Sequence, residues 1–138
     1  MSKVFLDTNI LLYSVDKKEP TKRENARQCL ASLKGEIAGV ISTQVLQEFY
    51  VIATKKLGGD PVTTKELLQY FQKFEVVTVT PPMIEQAVDC SVLSQLSFWD
   101  ALIVTAAEQA KCEMIWTEDL NAGQVIRGVR VENPLSNS

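Results

Sequence analysis

The run Val4-Phe5-Leu6-Asp7-Thr8-Asn9 frames the reading of this chain. Three consecutive apolar residues without polar alternation suit a short strand covered on both faces, as in a parallel sheet. A carboxylate follows at once. In such sheets ligands bind beyond the carboxyl ends of the strands, which is where Asp7 stands. Ile37–Ile41, Val76–Thr80 and Met114–Trp116 read as further short strands, with Val129–Val131 a small last one.

Helical patterns separate these strands. Ile10–Val15 reads as a short helical stretch. Thr21-x-x-Glu24 has the spacing of a capping box, followed by an apolar stripe at Ala26, Cys29, Leu30 and Leu33 that Gly35 is placed to end. Ser42 or Thr43 can cap a helix running to about Lys56. Gly58-Gly59-Asp60-Pro61 is the clearest break, and Thr63-x-x-Glu66 predicts a helix from there to about Phe74. Pro81-Pro82 opens a helix to about Leu96, Ser97 caps another through about Lys111, and Asn121–Ile126 reads as a short helix. Alternating strands and helices predict an α/β fold, a three-layer α/β/α sandwich around a mostly parallel sheet. The expected organisation is one domain over residues 1–133 with a frayed tail over 134–138.

The 138 residues suffice for a single domain with a real core. The chain is 46% hydrophobic and 22% charged, an ordinary globular balance. The first apolar run stops at Asp7, too early for a signal-peptide core, and no later stretch is long enough to cross a bilayer. A cytoplasmic protein without a membrane partner is the expectation. Three cysteines without close spacing read as packed thiols. The net charge of −3 argues against a general nucleic-acid binder, although it averages over faces. Basic residues do cluster, at Lys17, Lys18, Lys22, Arg23 and Arg27, at Lys55-Lys56, and at Arg127 and Arg130. Solvated helix faces are the plain explanation for them.

Four acids stand at the ends of apolar stretches: Asp7, Glu48, Asp100 and Asp119. Each also has a structural explanation. Asp7 could cap the Ile10 helix, assisted by Asn9. Glu48 shares a helical face with Val45 and Ile52, where a glutamate is out of place unless an ion pair holds it. Ser97-x-x-Asp100 resembles a capping box, yet Asp100 shares a face with Ile103, Val104 and Ala107. Asp119 could be a turn residue, Glu118 could serve in its place, and Thr117 and Asn121 are candidate hydrogen-bond partners.

These explanations do not say why four acids should gather at one rim. Two carboxylates ~4 Å apart repel by roughly 4 kcal/mol at an effective dielectric of 20. A divalent cation removes that penalty. The chain has no histidine, which excludes serine–histidine and cysteine–histidine catalysis and imidazole-bound zinc within it. Hard oxygen donors remain, and they suit Mg²⁺ or Mn²⁺. A cation so held activates water and stabilises charge developing on a phosphate, the minimal equipment for phosphodiester hydrolysis.

Four motifs in order carry a family resemblance: Phe5-Leu6-Asp7-Thr8-Asn9-Ile10-Leu11, Gln44-Val45-Leu46-Gln47-Glu48-Phe49-Tyr50, Leu96-Ser97-Phe98-Trp99-Asp100-Ala101-Leu102-Ile103, and Trp116-Thr117-Glu118-Asp119-Leu120-Asn121. Together they resemble a PIN domain over almost the whole chain. The resemblance implies an acidic pocket for Mg²⁺ or Mn²⁺, with Asp7, Glu48, Asp100 and Asp119 at the family's four acidic positions. It makes Asp7 and Asp100 the foremost direct ligands, with Thr8, Asn9, Ser97 and Thr117 in supporting positions. A free-standing domain of this size is similar to the VapC branch, the ribonuclease toxins of toxin–antitoxin pairs. That implies an RNA substrate, a homodimer, and an antitoxin that inserts a segment into the active-site groove.

The leading expectation is therefore a metal-dependent endoribonuclease, with the basic clusters holding the RNA backbone. A catalytically silent binding module on the same fold is the alternative. A phosphatase using Asp7 as nucleophile fits poorly, because Asp7 is followed by Thr8-Asn9-Ile10 and not by a second acid. Tyr13 and Trp99 could stack on a base, but core packing is the expected role of large aromatics in apolar stretches.

Overall fold

Strand β1 (Ser2–Leu6) leads into helix α1 (Thr8–Tyr13) with Asp7 alone between them. The computed structural model describes residues Ser2–Leu135. After α1 come α2 (Pro20–Ala31), β2 (Ile37–Ser42), α3 (Thr43–Lys55), α4 (Pro61–Phe71) and β3 (Glu75–Val77). The second half holds α5 (Pro81–Ser94), α6 (Phe98–Gln109), β4 (Met114–Trp116), β5 (Val125–Ile126) and β6 (Val129–Glu132). The six strands form one sheet in the order β3-β2-β1-β4-β6-β5, parallel throughout except for β5.

That order positions the site. From β1 the chain moves outward through β2 to β3, then returns to place β4 on the other side of β1. The direction of winding reverses between β1 and β4, so a crevice opens at their carboxyl ends. Both strands deliver a carboxylate there: Asp7 directly after β1, Asp119 three residues after β4. Val4, Phe5 and Leu6 are all buried, which requires cover on both faces of the sheet and makes the architecture a three-layer sandwich. Every residue from Ala101 to Ala107 is buried, so α6 is a core helix. No single helix among the described residues is long and apolar enough to cross a membrane. The α5–α6 pair has the composition for it but bends by 114°.

The helix starts differ from expectation in one consistent way. Thr21 and Thr63 do not act as caps. Helix α2 starts at Pro20 with Glu19 at its N-cap and no capping side chain, and α4 starts at Pro61. Asp60 caps α4, accepting from the Thr63 N–H at 2.9 Å and the Thr63 hydroxyl at 2.6 Å. Proline, with its fixed φ and no N–H to satisfy, takes the first helical position and moves the boundary upstream of the threonine. Helix α2 ends at Ala31, leaving Gly35 in the connection to β2. Strand β3 stops at Val77, because the Val79 N–H turns to Thr43 Oγ1 at 3.1 Å.

Asn121–Ile126 is not a helix. Val125–Ile126 pairs antiparallel with β6, closing a hairpin through Arg127-Gly128. Both loop residues have positive φ, 50° and 79°, as a two-residue turn between twisted strands demands. Leu135 is buried against Ile10 and Ala26, and residues 136–138, the rest of the expected tail, lie outside the described residues. Cys90 and Cys112 are buried and Cys29 half-buried, all as free thiols.

Phe49 anchors α3 to α4 through an edge-to-face contact with Phe71, ring centroids 5.0 Å apart. Phe49→Ala should lower unfolding free energy by about 3–5 kcal/mol, the usual cost of truncating a fully buried ring. Urea denaturation will check this, with a loss under about 1 kcal/mol contradicting it.

Candidate active site

Asp7, Glu48, Asp100 and Asp119 all line one cavity of about 160 Å³ at the carboxyl end of the sheet. Thr8, Asn9, Leu12, Gln44, Ile52, Trp99 and Ile103 complete its wall. Each acid arrives on a different element: the β1–α1 junction, α3, the first turn of α6, and the loop after β4.

Asp7 is only 5% exposed. Its Oδ1 accepts the Thr8 N–H at 2.7 Å and its Oδ2 accepts the Thr117 hydroxyl at 2.7 Å. It therefore caps α1 and faces the cavity at once. Glu48 Oε1 accepts the Thr8 hydroxyl at 2.7 Å, and Oε2 accepts the Gln44 amide at 3.3 Å. Asp119 is exposed and its Oδ2 accepts the Asn9 amide at 3.1 Å. Asp100 is half-buried, and its backbone N–H donates to Ser97 Oγ at 3.1 Å. Glu118 does not substitute for Asp119: it is turned to Lys22 at 2.8 Å and to the Tyr13 hydroxyl at 2.7 Å.

The supporting residues divide. Thr117 is fully buried and holds Asp7, while accepting from the Asn9 amide at 3.3 Å and the Asp119 N–H at 3.0 Å. Thr8 and Asn9 both line the cavity and bond to its acids. Ser97 caps α6 without lining the cavity. Asn121 lies off the site, its carbonyl accepting the Gln124 N–H in the turn before β5. Trp99 is 61% exposed, so core packing is the wrong expectation for it; it forms part of the cavity wall. Its position at the exposed second residue of α6 explains the difference. Gln44 has a site contact that sequence reading missed, although a residue four before Glu48 on a helix shares its face.

Among the described residues no lysine or arginine lies within ion-pair distance of any of the four carboxylates. The ion pair that would have explained Glu48 structurally is therefore absent from these residues. Burial pushes the Asp7 carboxyl up to about 7, helped by Asp119 and Glu48 and opposed by the Thr117 and Thr8 bonds. Burial also raises Asp100, opposed by Ser97 and reinforced by Asp119. The donor set fits a hard divalent cation, being all oxygen. No three acids among the described residues form a ready cage. Mg²⁺ does not require one, since it usually keeps several waters and takes one or two carboxylates.

A second cavity, of about 580 Å³, is lined by Lys17, Lys18, Arg23 and Arg27 together with Asp16 and Asp60. Arg127 and Arg130, by contrast, are paired with Glu108 at 3.4 Å and Glu132 at 3.0 Å.

An α/β/α sandwich with carboxylates converging on its switch point defines the class of the molecule. The sequence matches the PIN domain family over residues 4–127, and the chain belongs to that family. No curated protein matches it by sequence. Several solved structures share the fold. A chain of a toxin–antitoxin complex from Klebsiella pneumoniae is 24% identical, with 91% of this chain and 94% of that one aligned at a TM-score of 0.66. A chain of VapBC2 from Rickettsia felis, bound to a promoter DNA fragment, is 20% identical over 95% and 98% at 0.68. VapC20 from Mycobacterium tuberculosis, a toxin that cleaves the sarcin–ricin loop, is 18% identical over 84% and 89% at 0.66.

The raised Asp7 group makes stability depend on pH. In the folded chain Asp7 holds its proton up to about 7, whereas unfolded it releases it near 3.8. Between those values the folded state binds more protons, so its stability falls as pH rises. In EDTA, the unfolding midpoint should therefore drop between pH 5 and pH 8. Asp7→Asn, which carries no charge, should flatten that slope. A parent midpoint that rises over this range would contradict the assignment.

Proposed function

We propose that this chain is a divalent-cation-dependent endoribonuclease that hydrolyses RNA phosphodiester bonds, acting in the cytoplasm as the toxin of a toxin–antitoxin pair. The observation that carries this reading is the convergence of Asp7, Glu48, Asp100 and Asp119, from four separate segments, on one cavity without a cationic side chain in its wall. These four residues would hold Mg²⁺ or Mn²⁺. Such a cation, when bound, lowers the pKa of water and neutralises charge developing on a phosphate.

The chain's own residues supply placement. Thr117 and the Thr8 N–H orient Asp7, the Thr8 hydroxyl and Gln44 orient Glu48, and Asn9 orients Asp119. Lys17, Lys18, Arg23 and Arg27, gathered on a second cavity that also holds Asp16 and Asp60, would give the RNA backbone cationic contacts. Trp99 offers an exposed indole on the cavity wall, edge-on to Phe98 with ring centroids 5.1 Å apart, suited to stacking on a base.

The similar structures include assemblies of toxin with antitoxin, which supports a cognate antitoxin here. Beside the basic cavity, Leu30, Leu33, Leu67 and Phe74 line an apolar groove of about 510 Å³ edged by Arg27 and Lys34. An acidic amphipathic segment of that antitoxin would suit its apolar lining and basic edge, on the way to the active-site groove into which the resemblance has it insert. Ile84, Val88 and Val92 are exposed at four-residue spacing along α5 and give a homodimer a face to bury. A catalytically silent binding module on the same fold is the second reading.

Incubating purified protein with total cellular RNA and Mn²⁺ or Mg²⁺ separates the two. Discrete fragments are expected, lost in EDTA and reduced by at least about a hundredfold in Asp100→Asn. Full cleavage by folded Asp100→Asn would overturn the assignment of the acids. Cation binding without cleavage of any RNA, in protein shown free of a bound inhibitor, would favour the silent module.

A further inference from the structure

Gln44 is 4% exposed and sits in the first turn of α3, on the wall of the acidic cavity. Its Nε2 donates to Glu48 Oε2 at 3.3 Å and to the Trp99 carbonyl at 3.2 Å. Both partners are acceptors, which fixes the orientation of the amide: the nitrogen must face them. The oxygen is then left over. Gln44 Oε1 is the one buried side-chain nitrogen or oxygen among the described residues without a hydrogen-bond partner.

An orphaned buried acceptor costs stability, and native proteins seldom keep one without a reason. Here the two acceptors differ in what else holds them. Glu48 is half-buried and also holds the Thr8 hydroxyl. The Trp99 carbonyl lies in the first turn of α6, where the helix supplies its own donor four residues on. A leucine at this position would fill similar space with no orphan. What the glutamine adds over a leucine is the pair of bonds made by Nε2.

We propose that Gln44 is a positioning residue that ties Glu48 to the start of α6 beside Asp100, so that two acids from separate elements are presented together to the cation. This rests on the proposed cation site. The two bonds of Nε2 span the elements carrying these acids: Glu48 lies one turn along α3, and the Trp99 carbonyl adjoins Asp100 in the chain. Thr8 restrains the other oxygen of Glu48, so the amide removes the freedom that remains. Groups that orient ligands in this way typically change metal affinity or activity by 10–100-fold when lost.

The test pairs two measurements on the full chain, parent and Gln44→Leu. Calorimetric titration with Mn²⁺ gives the affinity, and thermal unfolding in EDTA gives the stability of the cation-free protein. The expected result is an affinity weakened by about tenfold or more, together with a midpoint in EDTA equal to or above the parent's. Unchanged affinity would overturn the inference, and so would a lowered midpoint with unchanged affinity, the signature of a purely structural tie. A parent that binds no Mn²⁺ would instead bring down the cation site itself and this inference with it.

Discussion

A carboxylate buried between the ends of β1 and β4, with no cationic side chain among the described residues to pair with it, is the constraint to which the rest of this site responds. Asp7 is placed there by the shortest possible connection, one residue between strand and helix. Desolvation disfavours its charge, and two nearby acids disfavour it further. Two hydrogen bonds, from the Thr8 N–H and the Thr117 hydroxyl, offset part of that cost. They do not restore an ordinary carboxylate. A chain stabilised for its own sake would put an amide or an apolar residue in this position; keeping an acid there is intelligible if a cation shares it.

The fold serves that constraint through its topology. The reversal of strand order at β1 and β4 opens the crevice, and the helices that follow β2 and α5 carry Glu48 and Asp100 to its edge. Thr8, Asn9 and Thr117 then knit the acids together through bonds, several of which span about a hundred residues of sequence. On the β1–β4 side the acids are bonded to neighbouring loops. On the α3–α6 side the connection between acids runs through Gln44.

Much of this is legible in the order of the amino acids. The strands β1, β2 and β4 are continuous apolar runs, and a carboxylate ending such a run is visible by eye. Glu48 stands out because helical spacing puts it on a buried face. What the sequence hides is of two kinds. Local rules compete, and the winner is not evident: proline displaced Thr21 and Thr63 from their expected caps, and the positive-φ pair Arg127-Gly128 made a hairpin where Asn121–Ile126 reads as a helix. Long-range pairings also leave no local trace. Glu118 and Asp119 are adjacent in sequence, and only the Lys22–Tyr13 cluster on one side and Asn9 on the other sort them into a surface ion pair and a site residue. Trp99 reads as core by composition, and only its place at the start of α6 exposes it.

The central claim is that Asp7 gives up its proton to a divalent cation. Calorimetry of Mn²⁺ binding at pH 6.5, in two buffers of different ionisation enthalpy, measures the protons released. With burial pushing Asp7 up to about 7, much of the cation-free protein carries its proton at that pH. Proton release on cation binding is predicted, nearly lost in Asp7→Asn. Binding with no proton release, or release undiminished in Asp7→Asn, would contradict it.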